Sequence, residues 1–192
     1  MNKNKPKLLI IAGDFVEDYE LMVPFQSLQV LGFEVDVVCP DKKKGDKIKT
    51  AVHQRKEDTQ TYVENAGHMF TLNSTFADVN PDDYMGLIVP GGRAPEYLRQ
   101  NKTVIELIDK FKDKPIACIC HGIQLLVATN MLKGKRVTCY PGCKPEVEMV
   151  GGQFVDCNVD EAIVDGNLVT AQNYFGHVEW LKSFYKVIMV PH

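Results

Sequence analysis

Short apolar runs that alternate with helical patterns are the feature that most constrains how this chain can fold. Runs at 7–12, 84–89 and 115–119 are bounded by Gly or Pro and are far shorter than a membrane span. Continuous apolar strands of this length suit a parallel sheet that is covered on both faces, and the helices between them supply the crossovers. The alternation therefore predicts an α/β fold, a three-layer α/β/α sandwich with a mostly parallel central sheet.

The helical patterns place apolar residues three and four positions apart. The first pattern, within 17–31, is stopped by Gly32 and contains Pro24, which predicts a kink. A later one, at 123–127, is apolar nearly all round, which predicts a helix in the core. The apolar positions of the four predicted helices are Leu21, Phe25, Leu28 and Leu31; Val104, Leu107, Ile108 and Phe111; Ile123, Leu125, Leu126 and Val127; and Val178, Leu181, Tyr185 and Ile188.

The remaining segments complete the predicted sheet and its insertions. A further strand is predicted at 34–38, and a hairpin at 162–170 around the turn residues Asp-Gly-Asn. The Lys-rich segment 41–49 is predicted to be a solvated loop. Segment 50–81 has an irregular pattern, and we interpret it as an insertion at the sheet edge with a hairpin around 60–71.

Composition narrows the class of protein. The chain has 192 residues and a net charge of −3, so no global field favours nucleic acid or an anionic membrane as a partner. Six cysteines without a CxxC spacing are too few for a disulfide scaffold of this size. The apolar run 8–12 is too short for a signal peptide. We therefore expect one domain over 1–192 in the cytoplasm, with no repeat or linker.

The segment Cys118-Ile-Cys-His-Gly122 carries the strongest chemical signal, because it joins a predicted buried strand directly to a predicted buried helix. A tight strand–turn–helix of this kind presents a nucleophile above the sheet, here Cys120. Its place at a helix N-terminus predicts a lowered thiol pKa. Cys118 would face the other way along the strand as a structural cysteine. The alternative for Cys120 itself is also a buried structural cysteine.

Three neighbouring features would complete such a site. His121 is a candidate general base or acid, because imidazole titrates near neutral pH. The backbone N–H groups of Gly91 and Gly92, together with that of His121, are candidates for an oxyanion hole. Glu17 begins the first helix, where the helix dipole favours a carboxylate whether or not it is functional.

Two rival arrangements are open. His177-Val-Glu179 follows a late strand, and a His-x-Glu pair completes the Cys triad of classical glutamine amidotransferases. A metal site would need an unusual set, such as Cys139 and Cys143 with His68 or His53. We expect no metal and no cofactor.

The chain resembles the ThiJ/PfpI superfamily, which has a flavodoxin-like, class I glutamine amidotransferase-like fold. The matching segments run in the family's order at 10–20, 87–97, 117–122 and 138–142, so the resemblance extends along most of the chain. The segments 61–71 and 174–179 look closer to the plant tandem-domain glyoxalase III members than to the archaeal protease. One departure is Ile123, where the family usually has Pro or Ala.

The resemblance implies a role for each matching residue. Cys120 matches the family nucleophile, and His121 matches the histidine of the protease-type triad. Glu17 matches the carboxyl beside the sulfur, which is usually protonated. Glu96 matches the acidic residue that reaches this histidine across a subunit interface, which implies a homo-oligomer.

The resemblance also implies the class of substrate, a small carbonyl compound or a peptide. The expected function is glyoxalase III-like or deglycase-like, converting methylglyoxal to lactate through Cys120 without a cofactor. One alternative is an intracellular cysteine peptidase or amidase of the PfpI type. Another, from a different class, is a non-catalytic redox sensor or chaperone in which Cys120 is oxidised beside Glu17.

Overall fold

The computed structural model describes residues 5–190 and contains eleven strands and six α-helices among them. The strands are β1 Lys7–Ile11, β2 Val16–Glu17, β3 Glu34–Val38, β4 Lys47–Arg55, β5 Tyr62–Thr71, β6 Gly86–Val89, β7 Ile116–Ile119, β8 Arg136–Val137, β9 Gln153–Phe154, β10 Ala162–Asp165 and β11 Leu168–Ala171. The helices are α1 Asp18–Val30, α2 Ala94–Leu98, α3 Lys102–Asp109, α4 Ile123–Val127, α5 Lys144–Met149 and α6 His177–Met189.

The central sheet has six strands in the order β10-β11-β7-β6-β1-β3. All neighbouring pairs are parallel except the hairpin β10–β11, which lies at one edge. The apolar runs form the middle strands and are almost fully buried, as a sheet covered on both faces requires. The predicted three-layer α/β sandwich and the 162–170 hairpin are confirmed.

The segment predicted as an insertion at the sheet edge instead forms a sheet of its own. β4 and β5 pair as an antiparallel hairpin, and β2 joins them in the order β2-β4-β5. β4 begins at Lys47, inside the predicted loop 41–49, so that boundary was wrong, and the predicted hairpin around 60–71 covers only one of its two strands. Exposed Lys47 and Lys49 alternate with buried Ile48 and Thr50. Because of its exposed lysines, the sequence of this half-buried strand resembles that of a charged loop.

The helices cover the sheet, with one error of phase. In α4, Ile123, Leu125 and Leu126 are buried, as predicted. In α6 the buried positions are His177, Trp180, Phe184 and Ile188, whereas Val178 of the predicted stripe is 62% exposed. α1 continues past the buried Pro24 to Val30. Within residues 5–190, the helices are too short or too polar to cross a bilayer.

The topology brings three loops to one place. β1, β6 and β7 are parallel neighbours, so their carboxyl ends at Ile11, Val89 and Ile119 lie at the same edge of the sheet. The segments that follow these ends carry Glu17 and Glu20, the Gly91–Gly92 pair and Cys120. The fold therefore assembles at this edge the residues on which the sequence analysis concentrated.

Candidate active site

Cys120 lies in a sharp turn between β7 and α4, the predicted strand–turn–helix. Its backbone has φ 58°, in the left-handed region, and the turn Cys120–Gly122 leads directly into α4. A non-glycine residue in that region costs about 1–2 kcal/mol, so the surrounding packing must hold it there. Gly122 is required by the same turn, because a Cβ there would lie 2.4 Å from the Val89 carbonyl oxygen.

The Cys120 side chain lines a cavity of about 340 Å³ between the central sheet and the β4–β5 hairpin. Carboxyl, imidazole and aromatic groups share its wall with the thiol. The residues that line the cavity include Glu17, Glu20, His53, Tyr62, Gly92, Cys120, His121, Tyr140 and Tyr174.

His121 is the imidazole next to the sulfur. Its Nδ1 lies 3.3 Å from Cys120 Sγ, and its ring stacks on Tyr140 with centroids 4.5 Å apart. The Tyr62 ring meets it edge-on at 5.6 Å. Burial lowers the pKa of His121 to about 4, so the ring is neutral near physiological pH. A neutral ring at this distance can accept the thiol proton. Its low pKa means that the ring does not retain that proton.

The carboxyl nearest the sulfur belongs to Glu20, not to Glu17 as expected. Glu20 is completely buried, and its Oε2 accepts the Gly91 N–H at 2.8 Å. Burial raises its pKa well above the ordinary value, and the Glu17 carboxyl adds to this, while the Gly91 N–H and the neighbouring Cys120 thiol act in the opposite direction. Burial therefore favours the protonated form of Glu20, and in that form its O–H can donate to a thiolate.

Glu17 performs a different task one turn earlier. Its side chain caps α1 by accepting the Glu20 N–H at 2.9 Å, and burial raises its pKa to about 7. The sequence did contain a signal for Glu20. It shares with Pro24 and Leu28 the i, i+4, i+8 positions of the buried face of α1, where a carboxylate is costly unless it is functional.

The predicted lowering of the Cys120 pKa was wrong. The N–H groups of His121 and Gly92 do lower it, but burial raises the thiol pKa well above its ordinary value, and the Glu20 carboxyl, when ionised, adds to that. The helix that follows has only five residues, so its dipole is small. The thiol is therefore protonated near neutral pH and has to lose its proton as it attacks.

Two of the three predicted oxyanion-hole donors lie at the Cys120 sulfur in this geometry. The N–H groups of Gly92 and His121 face the Cys120 sulfur, whereas the Gly91 N–H is already bound to Glu20. Position 91 instead requires glycine for steric reasons, because a Cβ there would lie 2.6 Å from Glu20 Oε2 and 2.7 Å from Cys120 Cβ. Gly92 has φ 74°, which favours glycine.

Other candidate residues lie outside the cavity lining. Glu96 is exposed on α2 and forms no hydrogen bond or ion pair with His121 among the described residues. His177 is buried against Trp180, and Glu179 pairs with Lys182 at 2.8 Å, so the His-x-Glu pair forms no triad with Cys120. Between residues 5 and 190, no cluster of three or more His, Cys, Asp or Glu side chains has an arrangement suited to a metal ion.

A hydrogen-bonded chain on the β4–β5 hairpin was missed by the sequence analysis. His53 Nε2 lies 3.0 Å from Glu64 Oε2, and Arg93 holds both oxygens of the same carboxylate at 2.8 and 3.0 Å. His53 lines the cavity. Its cross-strand partnership with Glu64 depends on the hairpin register, which the irregular pattern of 50–81 did not reveal.

Comparison with known proteins identifies the family. The model of the DJ-1/PfpI family matches residues 6–187, nearly the whole chain. The chain belongs to the DJ-1/PfpI family. The resemblance expected from the sequence motifs is thereby confirmed.

Members of the DJ-1/PfpI family in plants and archaea are similar to the chain along most of its length. Protein DJ-1 homolog D of Arabidopsis thaliana is 46% identical over 188 residues, which cover 96% of this chain and 48% of that protein. The chain thus spans about half the length of the plant relatives it matches. Deglycase PfpI of Pyrococcus furiosus is 32% identical, with 95% of this chain and 99% of that protein covered.

Solved structures agree on the fold. Drosophila melanogaster DJ-1beta superposes with a TM-score of 0.77 at 21% identity, over 96% of this chain and 91% of that one. A ThiJ/PfpI domain protein of Brachyspira murdochii gives 0.76 at 18% identity, with 95% of each chain covered.

Proposed function

We propose that this protein is a cysteine-dependent, cofactor-free enzyme that converts small α-oxoaldehydes, or their early adducts, to hydroxy acids, as a glyoxalase or deglycase does. The observation that carries the proposal is Cys120 Sγ in a cavity, 3.3 Å from His121 Nδ1 and next to the buried carboxyl of Glu20. Family membership and the archaeal relatives named as deglycases agree with it.

The first step is addition of the thiol to the aldehyde. The sulfur forms a bond to the aldehyde carbon, the carbonyl π pair moves to oxygen, and the N–H groups of Gly92 and His121 stabilise that oxygen. His121 Nδ1 accepts the thiol proton as the bond forms. Because the pKa of His121 is only about 4, the ring passes the proton on to the new alkoxide, which gives a neutral hemithioacetal.

The second step moves a proton between two carbons and converts the hemithioacetal to a thioester, which water then hydrolyses. Neither carbon needs an external oxidant, since one is oxidised as the other is reduced. The thiol returns when water replaces sulfur on the acyl carbon.

The cavity favours a small substrate over a peptide. About 340 Å³ is at the low end of small-molecule sites, and aromatic rings of Tyr62, Tyr140 and Tyr174 wall it in. Tyr174 also fixes the hairpin to the rest of the site, because its O–H donates to the His53 carbonyl at 3.1 Å. A peptide chain would need an open groove at this position.

The test is turnover of methylglyoxal to lactate by the wild type and three variants. We expect Cys120→Ser to lose at least about 10³-fold in kcat/KM, because it lacks the nucleophile. We expect Glu20→Gln to lose about 10²-fold in kcat/KM, because it lacks the buried acid next to the sulfur. Glu17→Gln is the matched control, a carboxyl one turn away, and we expect a loss below about tenfold. Equal activity of Cys120→Ser and wild type would exclude the mechanism. Turnover of a peptide but not of methylglyoxal would favour the peptidase alternative.

A further inference from the structure

His53 stands apart among the residues of the cavity, because it has a carboxylate partner of its own. Its side chain is only 10% exposed, and its Nε2 lies 3.0 Å from Glu64 Oε2 on the neighbouring strand. A carboxylate only accepts hydrogen bonds, so Nε2 carries the proton and Nδ1 is the basic nitrogen of the neutral ring. Nδ1 is buried and has no partner among the described residues.

Arg93 keeps that carboxylate ionised. Its guanidinium binds both oxygens of Glu64, and this pairing is the main reason that the pKa of Glu64 lies below its ordinary value. Arg93 is in turn held over the Phe15 ring, with Cζ 3.9 Å from the centroid. The order Arg93–Glu64–His53 is that of a carboxylate which orients a catalytic imidazole and stabilises its charged form.

The other histidine of the cavity lacks this support. His121 is stacked on Tyr140 and lies beside Tyr62, and its hydrogen bond goes to the Cys120 thiol. Within residues 5–190, no carboxylate is hydrogen-bonded to it or forms an ion pair with it. Of the two histidines in the wall, His53 is the one whose imidazolium has a fixed counter-charge within the chain.

We propose that His53 carries the proton of the second step, taking it from one carbon of the bound hemithioacetal through Nδ1 and returning it to the next. The inference rests on the proposed function. His121 would then serve the thiol, and His53 the substrate carbons. Glu64 and Arg93 are positioning residues that act through His53.

The step balances without a co-reactant. His53 Nδ1 takes the proton from the carbon bonded to sulfur, the C–H pair becomes a C=C bond, and the neighbouring carbonyl oxygen takes up the displaced pair. Imidazolium then gives the proton to the former carbonyl carbon, while the hydroxyl on the first carbon transfers its proton to the alkoxide and becomes the thioester carbonyl. His53 ends in its starting form.

The decisive variant is His53→Gln, because the glutamine amide keeps a donor for Glu64 but has no basic nitrogen. We expect about a 10²-fold loss of kcat for methylglyoxal, with an unchanged covalent adduct at Cys120 by mass spectrometry. Deuterium on the aldehyde carbon should slow the variant more than the wild type, because breaking that C–H bond becomes rate-limiting. Added imidazole should restore part of the activity of His53→Ala, and Glu64→Gln should lose about tenfold.

His68→Gln is the matched control. His68 lies on the same hairpin and also binds a carboxylate, with Nδ1 3.2 Å from Asp18, but it is 80% exposed and does not line the cavity. Wild-type activity is expected for it. Activity of His53→Gln equal to wild type, or a loss without an isotope effect and without imidazole rescue, would overturn the role of His53 alone. Failure of the wild type itself to convert methylglyoxal would overturn the proposed function and this inference with it.

Discussion

Individual residues of the site owe their chemistry to burial more than to their type. Glu17 and Glu20 have the same side chain and lie one turn apart, yet Glu17 caps the helix and Glu20 lies against Cys120. The sequence predicted the acid chemistry of this turn but selected the wrong carboxyl. Position on the buried face of α1, rather than nearness to the strand end, was the physical signal that distinguished them.

His177 tests the same principle at a histidine outside the cavity. Burial lowers its pKa to about 4, against about 6.5 in the unfolded chain, so its contribution to stability is present above pH 6.5 and is lost as the pH falls towards 4. The contribution is at most about 3 kcal/mol. His177→Phe keeps a ring to stack on Trp180 and removes the titration.

We therefore expect the free energy of unfolding to fall less between pH 7 and pH 4.5 in His177→Phe than in the wild type, as measured by urea unfolding at both values. The opposite contribution of Glu17, whose pKa is raised to about 7, is common to both proteins and cancels in the difference. Methylglyoxal turnover should stay within about twofold of wild type, because the residue does not line the cavity. Loss of turnover would reinstate the His-x-Glu arrangement as the catalytic one.

Among the elements, the turn between β7 and α4 loses stability to a strained backbone at Cys120 and places its side chain in the cavity wall. The left-handed backbone at Cys120 is strained for a cysteine, whereas glycine adopts it freely. Its existence was predictable, because an apolar strand, a flanking Gly122 and an apolar helix leave room only for a tight turn. Its strain was not, since φ depends on the register between β6 and β7 that places the Val89 carbonyl under Gly122.

The strain predicts an inverted order of stability for two variants. We expect Cys120→Gly to be more stable than Cys120→Ala by about 1 kcal/mol, because glycine adopts this φ freely. Cys118 provides the control, since it lies two residues earlier in the regular strand β7 and is equally buried. There the ordinary order should hold, with the alanine variant more stable than the glycine variant. Denaturant unfolding of the four proteins measures both differences, and the same order at both positions would mean that the turn is unstrained.

For the molecule as a whole, the strand and helix periodicities were enough to predict the central sheet, but not the β2-β4-β5 sheet that closes the site. That second sheet depends on pairing between the segments 16–17, 47–55 and 62–71. The charged residues in these segments obscure the alternating pattern by which a strand is recognised in a sequence. The hairpin supplies His53, Tyr62 and Glu64. Sequence reasoning therefore predicted the half of the site that stands on the central sheet and missed the half that faces it.

Glu96 connects the site to the question of assembly. It is exposed on α2 and, among the described residues, forms no hydrogen bond or ion pair with the His121 of its own chain. His121 lacks a carboxylate partner among the described residues. We expect two chains to associate so that each gives its Glu96 to the His121 of the other, which would raise the basicity of a ring that burial and, to a smaller extent, His53 keep neutral.

Complementation between two inactive variants tests this directly. Cys120→Ser lacks the nucleophile, and Glu96→Gln lacks the shared carboxyl, so each alone should have little methylglyoxal turnover. Co-refolded in equal amounts, they should recover up to about one quarter of wild-type activity, because half of the pairs are mixed and each mixed pair contains one complete site. Glu106→Gln, at a glutamate of α3 that pairs only with Lys102, is the control and should remain active alone. Each chain would complete its own site if Glu96→Gln by itself were fully active, or if light scattering gave a monomeric mass for the active wild type. The basicity of His121 would then have to come from the substrate-bound cavity alone.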